Sequence, residues 1–245
     1  MKTAAREHHA QCLGFLWQLM AQHQGDAAPV YQWLLAHPAE ASPQALSAAL
    51  PLAAPRWLAA HTDPATRPTA LRVLATFANA MQQCALGDRA AQIELAIATY
   101  HWVLTELSAS SEDWATTLNN LATAYRHRQE GDPADNLEQA IRLYQQALTV
   151  PSPLTWPIAM TGLAAAYRDR IHGNPAENLD SAIAAYEQAL GAIPRHTLPV
   201  AWATVTRQLA AAYGDRLSGD RLQNITTAID TYRRTLAELE PSPSR

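Results

Sequence analysis

One unit recurs along this chain, and the recurrence constrains the fold more than any other property. Trp114-Ala115, Leu121, Tyr125, Arg128, Gly131, Asn136-Leu137, Ala140-Ile141, Tyr144 and Leu148 return 42 residues later. The second copy reads Trp156, Leu163, Tyr167, Arg170, Gly173, Asn178-Leu179, Ala182-Ile183, Tyr186 and Leu190. A third follows after 46 more residues, with Trp202, Leu209, Tyr213, Arg216, Gly219, Asn224-Ile225, Ala228-Ile229, Tyr232 and Leu236. A weaker copy precedes them at an offset of 44, carrying Phe77, Met81, Gly87-Asp88, Ile93, Ala96-Ile97, Tyr100 and Leu104. Periods of this size are the signature of stacked supersecondary units.

Within each unit the apolar spacing is helical. Leu118, Leu121, Ala122 and Tyr125 sit three and four residues apart, as do Leu137, Ala140, Ile141, Tyr144 and Leu148, so each unit reads as two amphipathic helices. Gly131 is expected to end the first helix and Asn136 to N-cap the second. Small residues such as Ala122, Ala140 and Ala147 let the helices approach, while Tyr and Leu fill the space between units. One pair cannot bury its own apolar face; stacked pairs can. The expected fold is therefore all-α, an α-solenoid of stacked antiparallel helix pairs with a concave surface. Composition agrees, since hydrophobic residues reach 48% and Gly numbers only 9 in 245 residues.

The pairs are placed at about 66–108, 112–149, 155–192 and 197–240, with 241–245 a short tail. Residues 1–65 are out of register with the repeat and read as an N-terminal helical cap. Its helices are expected at 4–23, 27–37, 43–50 and 54–61, broken at Gly25-Asp26, Pro38 and the prolines around Pro51, Pro55 and Pro64. Leu13, Leu16, Trp17 and Met20 share one face of the first, and Val30, Trp33, Leu34 and His37 one face of the second. The density of Trp there also suits docking or dimerisation. At the far end Arg234 and Thr235 replace the Trp or Gln and the small apolar residues of the earlier copies, as a solvated terminal repeat requires.

The Leu-Ala-x-x-Tyr of Leu121 to Tyr125 and the Ala-Ile-x-x-Tyr-x-x-Ala-Leu of Ala140 to Leu148 resemble the two halves of a tetratricopeptide repeat, lengthened between Tyr125 and Ala140. The stretch from Trp114 to Ile141 is similar to the long kinesin-light-chain variant, in the version common in cyanobacterial multi-repeat proteins that end in a caspase-like CHAT domain. After Leu236 the chain has only AELEPSPSR, so the resemblance implies the recognition part without the enzyme part.

Charge and motifs narrow the function classes. The formal charge of −4 and a pI near 6.1 offer no basic stripe for nucleic acid. No run of 18 apolar residues spans a membrane, and Glu7, His8, His9 and Gln11 interrupt the first apolar stretch, so a signal peptide is not expected. Cys12 and Cys84 are too few for a disulfide framework, which fits a cytoplasmic chain; Cys84 reads as a buried structural thiol. His8, His9 and Cys12 share spacings of a soft-metal triad, but a solvated His-His pair is the commoner arrangement, so no metal or other cofactor is expected. The other histidines are scattered, mostly at helix ends, where they meet free carbonyls. No HExxH, GxSxG, phosphate loop or GxGxxG occurs, and no enzymatic activity is expected. Arg128, Arg170 and Arg216 each close a first helix and are expected to pair with acidic linker residues such as Asp132 or Glu138. Trp114, Trp156 and Trp202 are read as wedges against the preceding pair.

In tetratricopeptide stacks the first helix of each pair lines the concave groove. The resemblance therefore implies a peptide- or partner-binding set of Asn119, Thr123, Arg126 and His127, then Thr161, Arg168 and Asp169, then Arg207, Ala211 and Asp215. Asn119 stands two residues before Leu121, where related domains bind a peptide backbone. Asp169 and Asp215 speak against a simple carboxylate clamp. The expected function is a non-catalytic scaffold or adaptor that binds a protein or peptide. Its alternatives are the regulatory subunit of a caspase-like protease on a separate chain, or a structural subunit that forms homo-oligomers.

Overall fold

Every second helix of the repeat begins at a side chain that caps it. Asp88, Asp132, Asn174 and Asp220 occupy the same place in successive copies, and each accepts a hydrogen bond from a backbone N–H two or three residues on. The preceding residue must turn the chain sharply; at Gly131 and Gly173 it does so with φ of +79° and +85°, a region that favours glycine. Gly131 thus precedes the cap of the second helix and does not end the first, which closes at Arg126. Asn136 is not the cap either: it lies inside the helix, 6% exposed. Its counterparts Asn178 and Asn224 donate to the His172 and Ser218 carbonyls at 2.8 Å, tying the connecting turn to the helix.

A computed structural model describes the backbone of residues 2–239 and the side chains of residues 3–233. Among the described residues the chain forms eleven α-helices and no strand. They are α1 (Lys2–Gln22), α2 (Ala28–Ala36), α3 (Pro43–Ala59), α4 (Arg67–Gln83), α5 (Arg89–Glu106) and α6 (Glu112–Arg126), then α7 (Pro133–Ala147), α8 (Thr155–Asp169), α9 (Pro175–Ala192), α10 (Pro199–Asp215) and α11 (Arg221–Leu239). The side chains of Arg234 and Thr235 lie outside the described residues. The chain divides into two compact units, one through Gly131 and one from Asp132.

In the first unit α4 packs on α5 and α6, α1 packs on α3 and α4, and α3 packs on α5. The segment before the repeats is thus built from a helix pair, α1 and α3, with α2 inserted. Trp17 is fully buried in it, edge-on to Trp57 and Phe77 at 5.9 and 6.2 Å between ring centres. The expected break between residues 50 and 54 does not occur, because α3 runs unbroken through Pro51 and Pro55. Both prolines lie on its exposed face, where water can take the carbonyls they leave without a donor, and Leu46, Ala49, Leu50, Ala53 and Ala54 bury the opposite face.

In the second unit each of α7 to α11 packs on the next. The repeated tyrosines of the second helices form its core and that of α5: Tyr100, Tyr144 and Tyr186 are at most 1% exposed, whereas Tyr232 on α11 is 39% exposed.

Two polar ladders fix each first helix to the second helix of the preceding pair. Arg128 donates from Nε and Nη2 to Glu94 at 2.6 and 2.8 Å, Arg170 does the same to Glu138 at 2.6 and 3.1 Å, and Arg216 reaches Asp180 at 2.8 Å. Each arginine thus reaches back one unit, and Arg216 Nε also donates to Ser218 in its own linker at 3.0 Å. Bidentate geometry makes the Arg128 and Arg170 pairs among the stronger exposed-to-half-buried pairs, while at Asp180 the Ser218 hydroxyl shares the carboxylate with Arg216. The second ladder lies beside the first. The Tyr125 hydroxyl meets His101 Nε2 at 3.0 Å, Gln145 donates to Tyr167 at 3.1 Å, and Tyr213 donates to Glu187 at 2.6 Å. The Arg128 guanidinium also stacks on the Tyr125 ring at 5.6 Å, joining the two ladders in the first unit.

The Arg170 hydrogen bond, then its charge, hold the Glu138 carboxyl below the ordinary carboxylate range. A lowered folded value means the pair stabilises the fold above the unfolded value and ceases to do so as pH falls through the folded one. The stability advantage of wild type over Glu138→Gln is expected to be about 1 kcal/mol at neutral pH and to be lost as pH falls through and below the ordinary carboxylate range. Urea titrations at several pH values check this; an advantage that persists in acid contradicts it.

Candidate interaction groove

The outward face of α6 was legible only to within one residue. Thr116, Asn120, Thr123 and His127 form its accessible stripe at helical spacing, while Asn119 is 7% exposed. The sequence-derived set therefore mixes two faces of α6, Thr123 and His127 lying with Asn120, and Asn119 sharing its side of the helix with half-buried Arg126. Thr123 donates its hydroxyl to the Asn119 carbonyl at 3.0 Å, and His127 Nδ1 lies 2.9 Å from the Thr123 carbonyl at the helix end.

Between α4 and α6 runs a cleft of about 210 Å³. Its polar lining is Arg72, Thr76 and Asn79 from α4 and Asp113, Thr116, Thr117 and Asn120 from α6. Arg72 and Asp113 approach to 3.9 Å, so the cleft carries a partly neutralised pair and no net charge from these two groups. The two asparagines are held the same way. Asn120 Oδ1 accepts from the Asn119 amide at 3.1 Å, and Asn79 Oδ1 accepts from Gln83 at 3.0 Å. With each carboxamide oxygen engaged by a donor of its own helix, the –NH₂ end is the one left to face another acceptor. Asn119 thereby orients Asn120. Asn79, Asn120, Arg72, Thr76 and Asp113 lie outside the sequence-derived set; Asn79 stands in the weak copy, one turn beyond the equivalent of Asn120.

The remaining candidates stand on the second unit. Thr161, Arg168 and Asp169 lie on α8, where Thr161 donates to the Pro157 carbonyl at 2.8 Å and Arg168 lies 3.6 Å from Asp169. Arg207 and Asp215 are exposed on α10, about two turns apart, and Ala211 is half-buried between them. Trp114, Trp156 and Trp202 are half-buried, the last beneath the Arg195 guanidinium at 5.5 Å. Cys84 is buried at 2% exposure, as expected, and Gln92 donates to its sulfur at 3.4 Å. Among the described residues no helix is long and apolar enough to cross a membrane.

No curated protein and no solved structure matches the chain. One family model does, described as Tetratricopeptide repeat, over residues 114–153, which span α6, its connecting turn and α7. The chain thus carries a tetratricopeptide repeat at residues 114–153.

Proposed function

We propose that the chain is a non-catalytic adaptor that binds an extended peptide segment of a protein partner in the cleft between α4 and α6. The repeat at residues 114–153 supports protein–protein interaction in general. The observation that carries the finer reading is the pair Asn79 and Asn120, whose carboxamide oxygens are both engaged within their own helices. Two amide donors on facing helices suit the backbone carbonyls of an extended chain, and the neighbouring Arg72 and Asp113 suit polar side chains of either sign.

Peptides selected by phage display against the whole chain test this reading. Asn79→Ala with Asn120→Ala is expected to weaken a selected peptide at least about tenfold, the order of a lost pair of buried hydrogen bonds, at unchanged thermal midpoint. Unchanged affinity would move the site away from the cleft.

A second reading, self-association, is favoured by α11. Leu222, Ile225, Ile229 and Tyr232 are 74, 37, 43 and 39% exposed, while their counterparts Ile183 and Tyr186 are 6 and 0% exposed. Mass photometry separates the readings: a monomer at micromolar concentration removes self-association.

A further inference from the structure

We propose that His8, Cys12 and Glu40 form a three-ligand site for a zinc-type divalent ion, which clasps α1 to the connection between α2 and α3. His8 and Cys12 are one turn apart on α1, and Glu40 arrives from 28 residues along the chain, so the three are brought together by the fold. The His8 Nε2, Cys12 Sγ and Glu40 Oε2 atoms stand 3.8, 3.9 and 3.5 Å from one another. A tetrahedral ion with bonds of about 2.0 Å to N and O and about 2.3 Å to S places such atoms roughly 3.3 to 3.6 Å apart. Closing the triangle by a few tenths of an ångström would complete it.

The ligand set chooses the metal. One thiolate, one imidazole and one carboxylate suit zinc or cobalt, whereas magnesium and calcium take oxygen alone and cuprous copper takes soft sulfur. Cys12 is 6% exposed and its thiol donates to Glu40, while His8 and Glu40 side chains are 53 and 40% exposed. The sulfur is thus sheltered, and the ion has an open approach and room for water as a fourth ligand. In the metal-free site the thiol keeps its proton on the hydrogen bond to Glu40. On binding, the hydrated ion keeps one water and releases the rest as the three side chains take their places, the S–H proton passes to solvent, and a metal–thiolate bond forms. His9 does not take part: its Nδ1 lies 2.7 Å from the Ala5 carbonyl.

Cobalt(II) added to the full-length chain tests the site. The expected result is one equivalent bound, with a thiolate-to-cobalt charge-transfer band that zinc bleaches. Cys12→Ser should abolish the band, Glu40→Gln should weaken binding at least about tenfold, and Cys84→Ala should leave both unchanged. Zinc should raise the thermal midpoint of wild type and not that of His8→Ala, a readout that does not depend on the thiol. The proposal is overturned if wild type gives no thiolate band, if the band survives in Cys12→Ser, or if Glu40→Gln binds as wild type does.

Discussion

Tyr144→Ala is expected to destabilise the second unit by about 3 to 5 kcal/mol, and Tyr232→Ala by less than about 1 kcal/mol. The two residues occupy one position of the repeat, and what differs is what covers them. Tyr144 on α7 is 1% exposed, with α8 packed on that helix, so truncation removes a large aromatic surface and leaves a cavity. Tyr232 is 39% exposed and already meets water. Urea denaturation checks the pair through the midpoint at unchanged slope. Equal costs would show that the tyrosines are not stabilised by stacking.

The second large effect reverses an ordinary preference. Gly to Ala inside a helix normally stabilises by about 0.5 to 1 kcal/mol, because Gly loses more backbone freedom on folding. At Gly162 in α8 a Cβ would crowd Cε1, Cζ and the hydroxyl of Tyr144 closer than van der Waals contact allows, and α7 is packed on α8 there. Gly162→Ala is expected to destabilise by about 1 to 3 kcal/mol through overpacking. Gly191 in α9 has no atom within 4 Å of the same added group, and Gly191→Ala should follow the ordinary sign. Thermal midpoints of both variants against wild type settle it, and a stabilised Gly162→Ala would mean that α7 and α8 do not approach so closely.

Gly162 also shows what a sequence can carry. Local periodicity places the helices and their tyrosines, since an apolar stripe at 3.6-residue spacing reports one helix at a time. The fully buried Tyr100, Tyr144 and Tyr186 follow from it, as does the face of α1 that holds Leu13, Leu16, Trp17 and Met20. Whatever depends on one unit meeting another is not local. The partner of Arg170 is Glu138, 32 residues back, because stacking and not the linker sets that distance. Asp132 and Asn136 are both cap-forming residues one turn apart, and only the backbone decides which of them opens α7. Pro51 and Pro55 read as breaks, yet their one-turn spacing puts both on the wet side of α3.

The lining of the cleft is hard to read from sequence for the same kind of reason. Asn119 and Asn120 differ by about 100° around α6, less than a stripe of Leu and Ala can resolve when both flank it. Asn119 is 7% exposed, and its amide donates to Asn120. Asn79 lies in the copy with the weakest repeat pattern, where the register was read from few positions. Glu40 gave no signal at all, since nothing in a connecting turn announces which helix face it will meet.

In the proposed binding mode Asn79 and Asn120 present amide donors to a peptide between α4 and α6. Nuclear magnetic resonance of the chain labelled only at asparagine side-chain amides tests it most directly, on titration with a phage-selected peptide. The predicted result is that the Asn79 and Asn120 amide signals shift downfield in saturable fashion, with Asn178 unmoved. Saturable binding that leaves both signals in place would contradict it.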